Sequence, residues 1–311
     1  MRWGLLISFV LISIIFFITS GVIQELSYAK TYRFFDFEKD NLPLVNEAVI
    51  DDFPNGTLFY HNLRFKDRYI SYSLNETCDE SKIKDVRLAF DILQNETVLN
   101  FEEKDKGDIW VSCSNSSNVP QDGFFIAGEG GPTSIINASN FYIINGGTIL
   151  LYRDNFCKTP IVAIHEILHV LGFKHSSNKK SIMYEVSDCN QRLSPDIIEV
   201  INSIYDYPTL PDLTLRKVDA IKEGRFLNFE AEIFNSGLDF SLNSKIGVFA
   251  DGKLIGEYDI GELKAGEGKI IKVSNLRTSY NFEEISFKVD FEENIFEIYE
   301  DNNERILVVG S

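Results

Sequence analysis

The chain is short of positive charge. Its 311 residues include 30 lysines and arginines against 47 aspartates and glutamates, a formal net charge of −17 at pH 7. Proteins bind nucleic-acid phosphates through a surplus of lysine and arginine, so this balance argues against a nucleic-acid partner. Hydrophobic residues make up 44% of the chain and charged residues 25%, which is typical of a globular protein. A chain of this length accommodates two domains.

Cysteine is also scarce, and its four residues make an even count: Cys78, Cys113, Cys157 and Cys189. In an exported protein such a count predicts two disulfides, with three possible pairings. Cys157 and Cys189 flank residues 161–184, so we expect these two to pair and Cys78 to pair with Cys113. Free buried thiols are the alternative.

Histidine is equally rare: three of the four histidines stand within residues 165–175, which read His-Glu-Ile-Leu-His-Val-Leu-Gly-Phe-Lys-His. On a helix, His165 and His169 lie one turn apart on the same face, where both imidazoles reach one Zn²⁺ at about 2.0–2.1 Å. Gly172 tolerates a positive φ, so the helix can end there and the chain can return His175 as a third ligand. Histidines in an ordinary helix core are the alternative, but five residue types at fixed offsets favour a zinc site.

Three protein ligands leave the fourth tetrahedral position open, which is typical of a catalytic zinc and not a structural one. Glu166 follows the first ligand and is close enough to act as a general base without being a ligand itself. His61 is the only other histidine, so a second zinc site of the same kind lacks its ligands.

The extended motif resembles that of the metzincin metalloproteases, in which a methionine-containing turn follows the third histidine. Met183 fits that turn, and the resemblance implies that it lies beneath the zinc without binding it. Ser176 after the third histidine and Ser181-Ile182-Met183-Tyr184 resemble the matrixin branch. The resemblance spans about residues 60–208 and also includes Gly107–Val111, which resembles a central matrixin strand. Further matches are Ala127–Pro132, similar to the loop after that strand, and Leu193–Tyr205, similar to the last helix.

The resemblance and the hydrophobic pattern predict an α+β catalytic domain at 60–208: a twisted mixed sheet, the zinc helix and a C-terminal helix. Helical spacing predicts a helix over about Glu80–Gln94, and strands are expected at Tyr69–Leu74, Asp108–Ser112 and Gly146–Tyr152. The last of these resembles the matrixin edge strand that pairs with extended substrate. We therefore expect substrate to contact Gly147, Thr148 and Ile149, and also Tyr184.

The N-terminus carries an apolar run from Trp3 to Ile23, preceded by Arg2. Its length fits a membrane anchor, whereas the small residues at 27–29 fit a cleaved signal peptide, so residues 1–29 are one or the other. Either predicts a catalytic domain outside the cytoplasm. Residues 30–59 are expected to be a stalk or pro-region, without the zinc-binding cysteine usual in matrixin propeptides. Asparagine sequons precede the zinc motif, at Asn55, Asn75, Asn95, Asn115 and Asn137.

After Pro208 and Pro211 the pattern changes to short alternating runs, and Asp251-Gly252 predicts a hairpin turn. These features predict an all-β, Ig-like sandwich over 212–311. Asn235-Ser236-Gly237, Asp251-Gly252 and Glu297–Asn303 resemble the CARDB family of cell-surface modules. The acidic run 292–304 is more typical of a solvated face than of a Ca²⁺ site. A structural Ca²⁺ elsewhere in the chain is compatible with the sequence, because oxygen ligands leave no sharp sequence signature.

The sequence thus predicts an extracytoplasmic zinc endopeptidase. Zn²⁺ would be held by His165, His169 and His175, and Glu166 would activate the attacking water. The partners implied are a peptide or protein substrate and, if the N-terminal segment is retained, a membrane. One alternative is a cell-surface adhesion protein with a vestigial hydrolase site. A second is a zinc hydrolase that acts on a small ester or amide.

Overall fold

The structure, a computed structural model, describes residues 57–114, 126–152, 154, 156–278 and 281–308, together with the backbone of a short strand at Arg33–Phe35. No helix within these ranges is long and apolar enough to cross a membrane. The apolar run at 3–23 and the sequons at Asn55 and Asn115 lie outside the described residues. The signal-peptide, membrane-anchor and glycosylation expectations therefore stay predictions.

The first part of the chain is built on a five-stranded sheet in the order β4-β3-β5-β9-β6. Strands β3, β4, β5 and β9 run parallel, and β6 joins β9 antiparallel. The strands are β3 Tyr69–Leu74, β4 Asn100–Glu103, β5 Ile109–Cys113, β6 Gly128–Pro132 and β9 Gly147–Leu151. The helices are α1 Glu80–Glu96, α2 Ile161–Val170 and α3 Pro195–Ile204.

One face of this sheet forms the core. Ile109, Val111, Ile149 and Leu151 are buried on that face together with Phe90 of α1, whereas the intervening Trp110 is exposed on the other. This alternation follows from the period of two along a strand. Asp79 starts α1 by accepting a hydrogen bond from the Lys82 backbone N–H at 3.0 Å. The expected helix and strands are present, with ends shifted by one or two residues.

A second sheet has three strands, β2 (Leu63–Phe65), β7 (Ile135–Asn137) and β8 (Tyr142–Ile144), in the order β2-β8-β7, and packs beside α3. Arg64 of β2 is buried, and its Nη1 donates to the carbonyls of Ile204 at 2.9 Å and Tyr207 at 3.1 Å. Its guanidinium also lies 4.2 Å from the centre of the Tyr205 ring. A cation at a helix C-terminus satisfies carbonyls that the helix leaves open, so Arg64 fixes the end of α3.

The second part is an all-β sandwich of two four-stranded sheets, in the orders β1-β14-β11-β10 and β13-β12-β15-β16. Asp251 and Gly252 have φ of +46° and +74°, which gives the primed hairpin turn expected between β12 and β13. The strands are β1 Arg33–Phe35, β10 Leu213–Glu223, β11 Phe226–Asn235, β12 Ser241–Ala250, β13 Lys253–Leu263, β14 Gly268–Arg277, β15 Glu284–Val289 and β16 Glu304–Val308. The fold is thus α+β followed by all-β, as expected.

The two parts share a small apolar cluster at their junction. Ala138, Phe141 and Ile143 of the first part are buried against Leu238 of the second. Gly266 of the sandwich also lies close to the first part, since a β-carbon there would stand 2.7 Å from Ile136 Cγ2 and 2.9 Å from the Asn137 carbonyl oxygen. An ion pair of 2.6 Å between Lys66 Nζ and Asp239 Oδ1 lies at the same junction.

Both expected disulfides are present, Cys78–Cys113 and Cys157–Cys189. The first ties the start of α1 to the end of β5, and the second ties the segment before α2 to the segment before α3. There is no free cysteine. Each bond closes a loop of more than thirty residues, which stabilises the fold mainly by restricting the unfolded chain.

Candidate metal centre and its cleft

Helix α2 carries two of the expected metal ligands on one face. Its other side chains are largely aliphatic and buried, and they include Ile164, Ile167 and Leu168. The helix ends at Val170, and Gly172 adopts a φ of +97° that a residue with a side chain rarely takes. A β-carbon at Gly172 would also stand 2.4 Å from Leu63 Cδ2. Gly172 therefore allows the sharp turn that returns the chain toward the helix face.

That turn brings His175 to the two helix histidines. Its Nε2 lies 3.3 Å from Nε2 of His165 and 3.1 Å from Nε2 of His169. Tetrahedral zinc with ligands at about 2.0–2.1 Å requires nitrogens about 3.3 Å apart. Both separations therefore suit tetrahedral zinc, and all three histidine ligand atoms lie within 4.8 Å of one another. Among the residues that the structure describes, they are also the only group of three or more histidine, cysteine, aspartate or glutamate side chains close enough together to hold a metal.

The second nitrogen of each helix histidine is held by the backbone. Nδ1 of His165 lies 2.7 Å from the Ile182 carbonyl oxygen, and Nδ1 of His169 lies 2.8 Å from that of Phe173. A carbonyl accepts only, so Nδ1 carries the proton and Nε2 keeps its lone pair for a metal. Burial lowers the pKa of His165 to about 4 and also lowers the pKa of His169. Both rings are thus neutral near pH 7, the form that binds metals.

The turn after the third histidine, residues 181–184, is anchored in the core, and a position of Met183 beneath the zinc stays a prediction. Ile182 and Met183 are each 1% exposed and belong to the main core. The Ser176 N–H donates to the Met183 carbonyl at 2.8 Å, and this bond ties the turn to the loop that carries His175. Because Ile182 also accepts from His165, the turn positions two of the three histidines through its backbone.

The segment before β2 braces the same loop from the other side. The Phe59 N–H donates to the Gly172 carbonyl at 2.8 Å, and the Lys174 N–H donates to the Thr57 carbonyl at 2.9 Å. The Phe59 ring is stacked on His169 with the ring centres 6.4 Å apart. The last residues of the 30–59 segment, predicted as a stalk or pro-region, therefore contact the metal centre.

Glu166 lies beside the histidines and is only 6% exposed. Burial raises its pKa to about 8, and the negative charge of Glu129 adds to the effect. Within the described residues its carboxylate has no hydrogen bond or ion pair. A β-carbon on Gly128 would lie 2.9 Å from Glu166 Oε1, so the absence of a side chain there leaves room for this carboxylate. A buried, unpaired carboxylate next to a metal centre is suited to accept a proton.

A cavity of about 840 Å³ opens over these groups. The three histidines and Glu166 line its base, and Gly128–Gly130 of β6 line one wall. Residues 185–189 and the disulfide between Cys157 and Cys189 line the cavity as well. The cavity is thus an open cleft of a size that accommodates several residues of a substrate.

The strand at the edge of the sheet was predicted wrongly. β9, expected as the edge, pairs with β5 on one side and with β6 on the other, so β6 is the edge. Gly147 and Ile149 are buried, and Thr148 projects from the exposed face of the sheet with its neighbour Trp110. Residues 127–132, predicted as a loop, contain the edge strand. The loop was expected from the family resemblance; in the structure, Gly128 and Gly130 instead allow this strand to pack closely on α2.

The remaining predicted contact, Tyr184, is half-buried and does not line the cleft. Its backbone N–H donates to the Ser181 carbonyl at 3.1 Å, which closes the turn around Met183. A substrate role for Gly147, Thr148, Ile149 and Tyr184 stays a prediction. Residues 185–189 line the cleft and lie within 184–193, the segment that the sequence indicates as the surroundings of a specificity pocket.

Comparison with known families agrees with both parts of the fold. Residues 64–206 match the Matrixin family model, and residues 210–306 match the CARDB model. Macrophage metalloelastase of Rattus norvegicus is 30% identical, with 49% of this chain and 36% of that protein covered. Stromelysin-2 of Rattus norvegicus is 29% identical, with 55% and 39% covered. Matrix metalloproteinase-16 of Homo sapiens is 28% identical, with 47% and 28% covered. The chain thus spans well under half the length of these relatives.

Two solved structures resemble the sandwich. A domain of a putative cell surface protein of Methanosarcina acetivorans is 19% identical with a TM-score of 0.29, and it covers 33% of this chain and 92% of that one. A CARDB domain from Pyrococcus furiosus is 24% identical with a TM-score of 0.29, and it covers 32% of this chain and 94% of that one. The two family matches, and not these structures, identify residues 64–206 as a matrixin domain and residues 210–306 as a CARDB domain.

Proposed function

We propose that the chain is a zinc endopeptidase that acts outside the cytoplasm. The observation that carries this proposal is the convergence of three histidine Nε2 atoms beside a buried glutamate, at the base of a cleft bordered by an edge strand. The matrixin match and the metalloproteinase relatives support the same reaction class.

His165, His169 and His175 would hold the zinc, with Nε2–Nε2 separations of 3.3 Å and 3.1 Å that fit tetrahedral ligands. When bound, Zn²⁺ supplies a Lewis acid that polarises the scissile carbonyl and makes a water molecule more acidic. The backbone carbonyls of Ile182 and Phe173 keep the helix imidazoles oriented during this chemistry.

Glu166 moves the proton. Its carboxylate, buried beside β6, takes a proton from the attacking water and then delivers it to the amine that leaves. This cycle needs no covalent intermediate. It also needs a proton affinity near neutrality at Glu166, which burial of the side chain favours.

The substrate would bind as an extended strand along β6. This strand pairs with β9 on one side only, and its other side carries backbone groups that face the cleft. An exposed edge binds a peptide through main-chain hydrogen bonds, whatever the peptide sequence. This favours peptide bonds over small esters or amides as the substrate class.

A location outside the cytoplasm is supported by both disulfides, because such bonds persist in oxidising compartments. The apolar N-terminal run would either anchor the chain in a membrane or be removed as a signal peptide. The CARDB domain supports a second candidate role, adhesion at a cell surface. In that role the cleft would bind another protein without cleaving it.

The decisive experiment compares Glu166→Gln with the wild-type full chain on an unstructured protein substrate. Glutamine keeps the shape of glutamate but accepts a proton poorly, so cleavage should fall by about 10²–10⁴-fold while zinc content stays at one ion per chain. Chelation should abolish wild-type cleavage, and added zinc should restore it.

Glu129→Gln is the matched control, because Glu129 also lines the cleft but is exposed. This variant should keep most of the activity. Cleavage by Glu166→Gln at the wild-type rate would rule out the proposed mechanism. Zinc binding without any cleavage by the wild type would favour the adhesion role.

A further inference from the structure

Four polar side chains are buried together at the start of the CARDB domain. Asp212 precedes β10, and Glu297, Asn302 and Asn303 lie in the segment between β15 and β16. Their exposed fractions are 0%, 7%, 7% and 3%. Polar groups this deeply buried are stable only if their hydrogen-bonding capacity is used.

Hydrogen bonds join the four side chains into one cluster. Asn302 Nδ2 donates to Asp212 Oδ1 at 2.9 Å, and Asn303 Nδ2 donates to Glu297 Oε1 at 2.9 Å. The second oxygen of Glu297 accepts from the backbone N–H of Leu213, the residue that follows Asp212. The two carboxylates therefore lie close together, each held by one asparagine amide.

The amide oxygens of Asn302 and Asn303 are the unusual feature. Both are buried, and neither has a hydrogen-bond partner among the described residues. Rotating either amide by 180° would place its oxygen against a carboxylate, which is worse. Asn235 provides the contrast within the same domain. It is 0% exposed, its oxygen accepts from Asp212 and Gly237, and its Nδ2 donates to two carbonyls.

The carboxylate of Glu297 also lacks a positively charged partner in the described part of the chain. Burial raises the pKa of its carboxyl to about 8, and among the described residues it forms no ion pair. A buried carboxylate is costly unless it is protonated or stabilised by a positive charge. Two buried amide oxygens and a buried carboxylate together lack a positive partner, and a metal cation would satisfy all three.

We propose that Glu297, Asp212, Asn302 and Asn303 bind one Ca²⁺ ion. All the available donors are carboxylate and amide oxygens, and no nitrogen or sulfur ligand is present in the cluster. Hard cations prefer such donors, and Ca²⁺ takes six to eight of them in flexible geometry. Mg²⁺ usually keeps several water molecules, which a cluster this buried does not admit.

The exposed acidic residues of 292–304 are a different case. Glu292 and Glu293 are exposed, and Glu293 Oε1 pairs with Lys288 Nζ at 3.1 Å. These residues form the solvated face that the sequence predicted for the run. The proposed site uses Glu297 and the two asparagines that follow, whose side chains point inward.

The site lies at the junction of the two domains. The Ile298 N–H donates to the Pro211 carbonyl at 3.0 Å, and Ile298 packs on the interdomain cluster that contains Phe141 and Leu238. A bound Ca²⁺ would tie the interdomain linker, through Asp212, to the segment that carries Ile298. Calcium would therefore stabilise the junction as well as the CARDB domain.

Calcium binding to the full chain, measured by isothermal titration in calcium-free buffer, tests the proposal. Glu297→Gln removes a ligand charge but keeps the shape of the side chain, so it should bind one Ca²⁺ fewer per chain than the wild type. Glu292→Gln, in the exposed part of the acidic run, should bind as many ions as the wild type. Calcium should also raise the wild-type Tm by several degrees, and this shift should shrink in Glu297→Gln.

Equal numbers of bound ions in the wild type and in Glu297→Gln would overturn the proposal. Asn303→Asp provides an independent test if Glu297→Gln does not fold. The added buried carboxylate should lower the Tm without calcium, and calcium should restore most of the loss. An equal loss of Tm with and without calcium would also overturn the proposal.

Discussion

Gly130 of the edge strand lies directly against Glu166 of the zinc-motif helix. A β-carbon on Gly130 would stand 2.4 Å from the Glu166 carbonyl oxygen and 3.0 Å from its Cα. The backbones of β6 and α2 therefore pack so closely here that only glycine fits at position 130. This contact sets the distance between the strand that would hold substrate and the helix that carries two metal ligands.

We expect Gly130→Ala to push β6 and α2 apart. Overpacking of this kind costs about 1–3 kcal/mol of unfolding free energy. Peptide cleavage should fall by at least about 10-fold, because a displacement of about 1 Å between substrate and catalytic groups can slow a reaction strongly. Gly131→Ala is the matched control, since a β-carbon there meets nothing within 4 Å. Equal activity and equal Tm in the two variants would contradict the expectation.

The three-histidine centre predicts which histidine substitutions abolish zinc binding. His169→Ala removes one of three converging Nε2 atoms, so the purified variant should contain far less than one zinc per chain. His61→Ala removes the remaining histidine, which is exposed and contacts the Tyr142 ring edge-on with the ring centres 5.1 Å apart. That variant should retain the full zinc content. Atomic emission after dialysis measures both, and one zinc in His169→Ala would contradict the assignment.

Removal of either disulfide should lower the stability of the protein, but only one of them should also affect substrate binding. They close loops with sequence separations of 35 and 32 residues, so each should contribute about 3–4 kcal/mol to the unfolding free energy. Only the bond between Cys157 and Cys189 lines the cleft. Replacing either pair by alanines should lower the Tm by a similar amount. KM for a peptide substrate should rise only in the Cys157→Ala/Cys189→Ala variant. An equal rise in both variants would contradict this expectation, because it would show that lower overall stability, and not the lining of the cleft, changes substrate binding.

Glu297 predicts a pH dependence of the calcium-free protein. Its pKa is about 8 in the folded state against 4.5 for an ordinary glutamate, so the folded state binds more protons between these values. Stability is therefore highest at low pH within this window and is lost as pH rises through it. Urea unfolding should give a free energy lower at pH 8 than at pH 5 by on the order of 3 kcal/mol. Glu297→Gln should make the slope shallower by this amount, whereas Glu166, whose pKa burial also raises to about 8, keeps its own contribution; saturating calcium should reduce the Glu297 contribution.

The zinc motif could be predicted from the sequence because its geometry is local. A helix places residues four apart on one face, and a glycine at the helix end allows the chain to turn back. The same local reasoning found the hairpin turn at Asp251-Gly252. Each of these features depends on fewer than twenty consecutive residues.

The parts that the sequence did not indicate depend on distant contacts. Gly128-Glu129-Gly130-Gly131 has the composition of a loop, and only the approach of α2 makes it a strand. Arg64 has no motif, yet it fixes the end of α3 from 140 residues away. Asn235 and Asn302 are both asparagines of one domain. Only their surroundings determine that the amide oxygen of Asn235 accepts hydrogen bonds and that of Asn302 accepts none from the described residues.

The composition of β6 has a consequence for self-association. An open edge strand is a template on which other chains, including copies of the same protein, can add a strand. Gly128, Gly130 and Gly131 offer such a strand no side-chain grip, and Pro132 has no N–H to donate at the end of the edge. The five-residue edge is thus too short and too bare to start a continuous sheet between molecules. Under the proposed function, the same edge would hold a single substrate peptide by main-chain hydrogen bonds alone, without gripping its side chains.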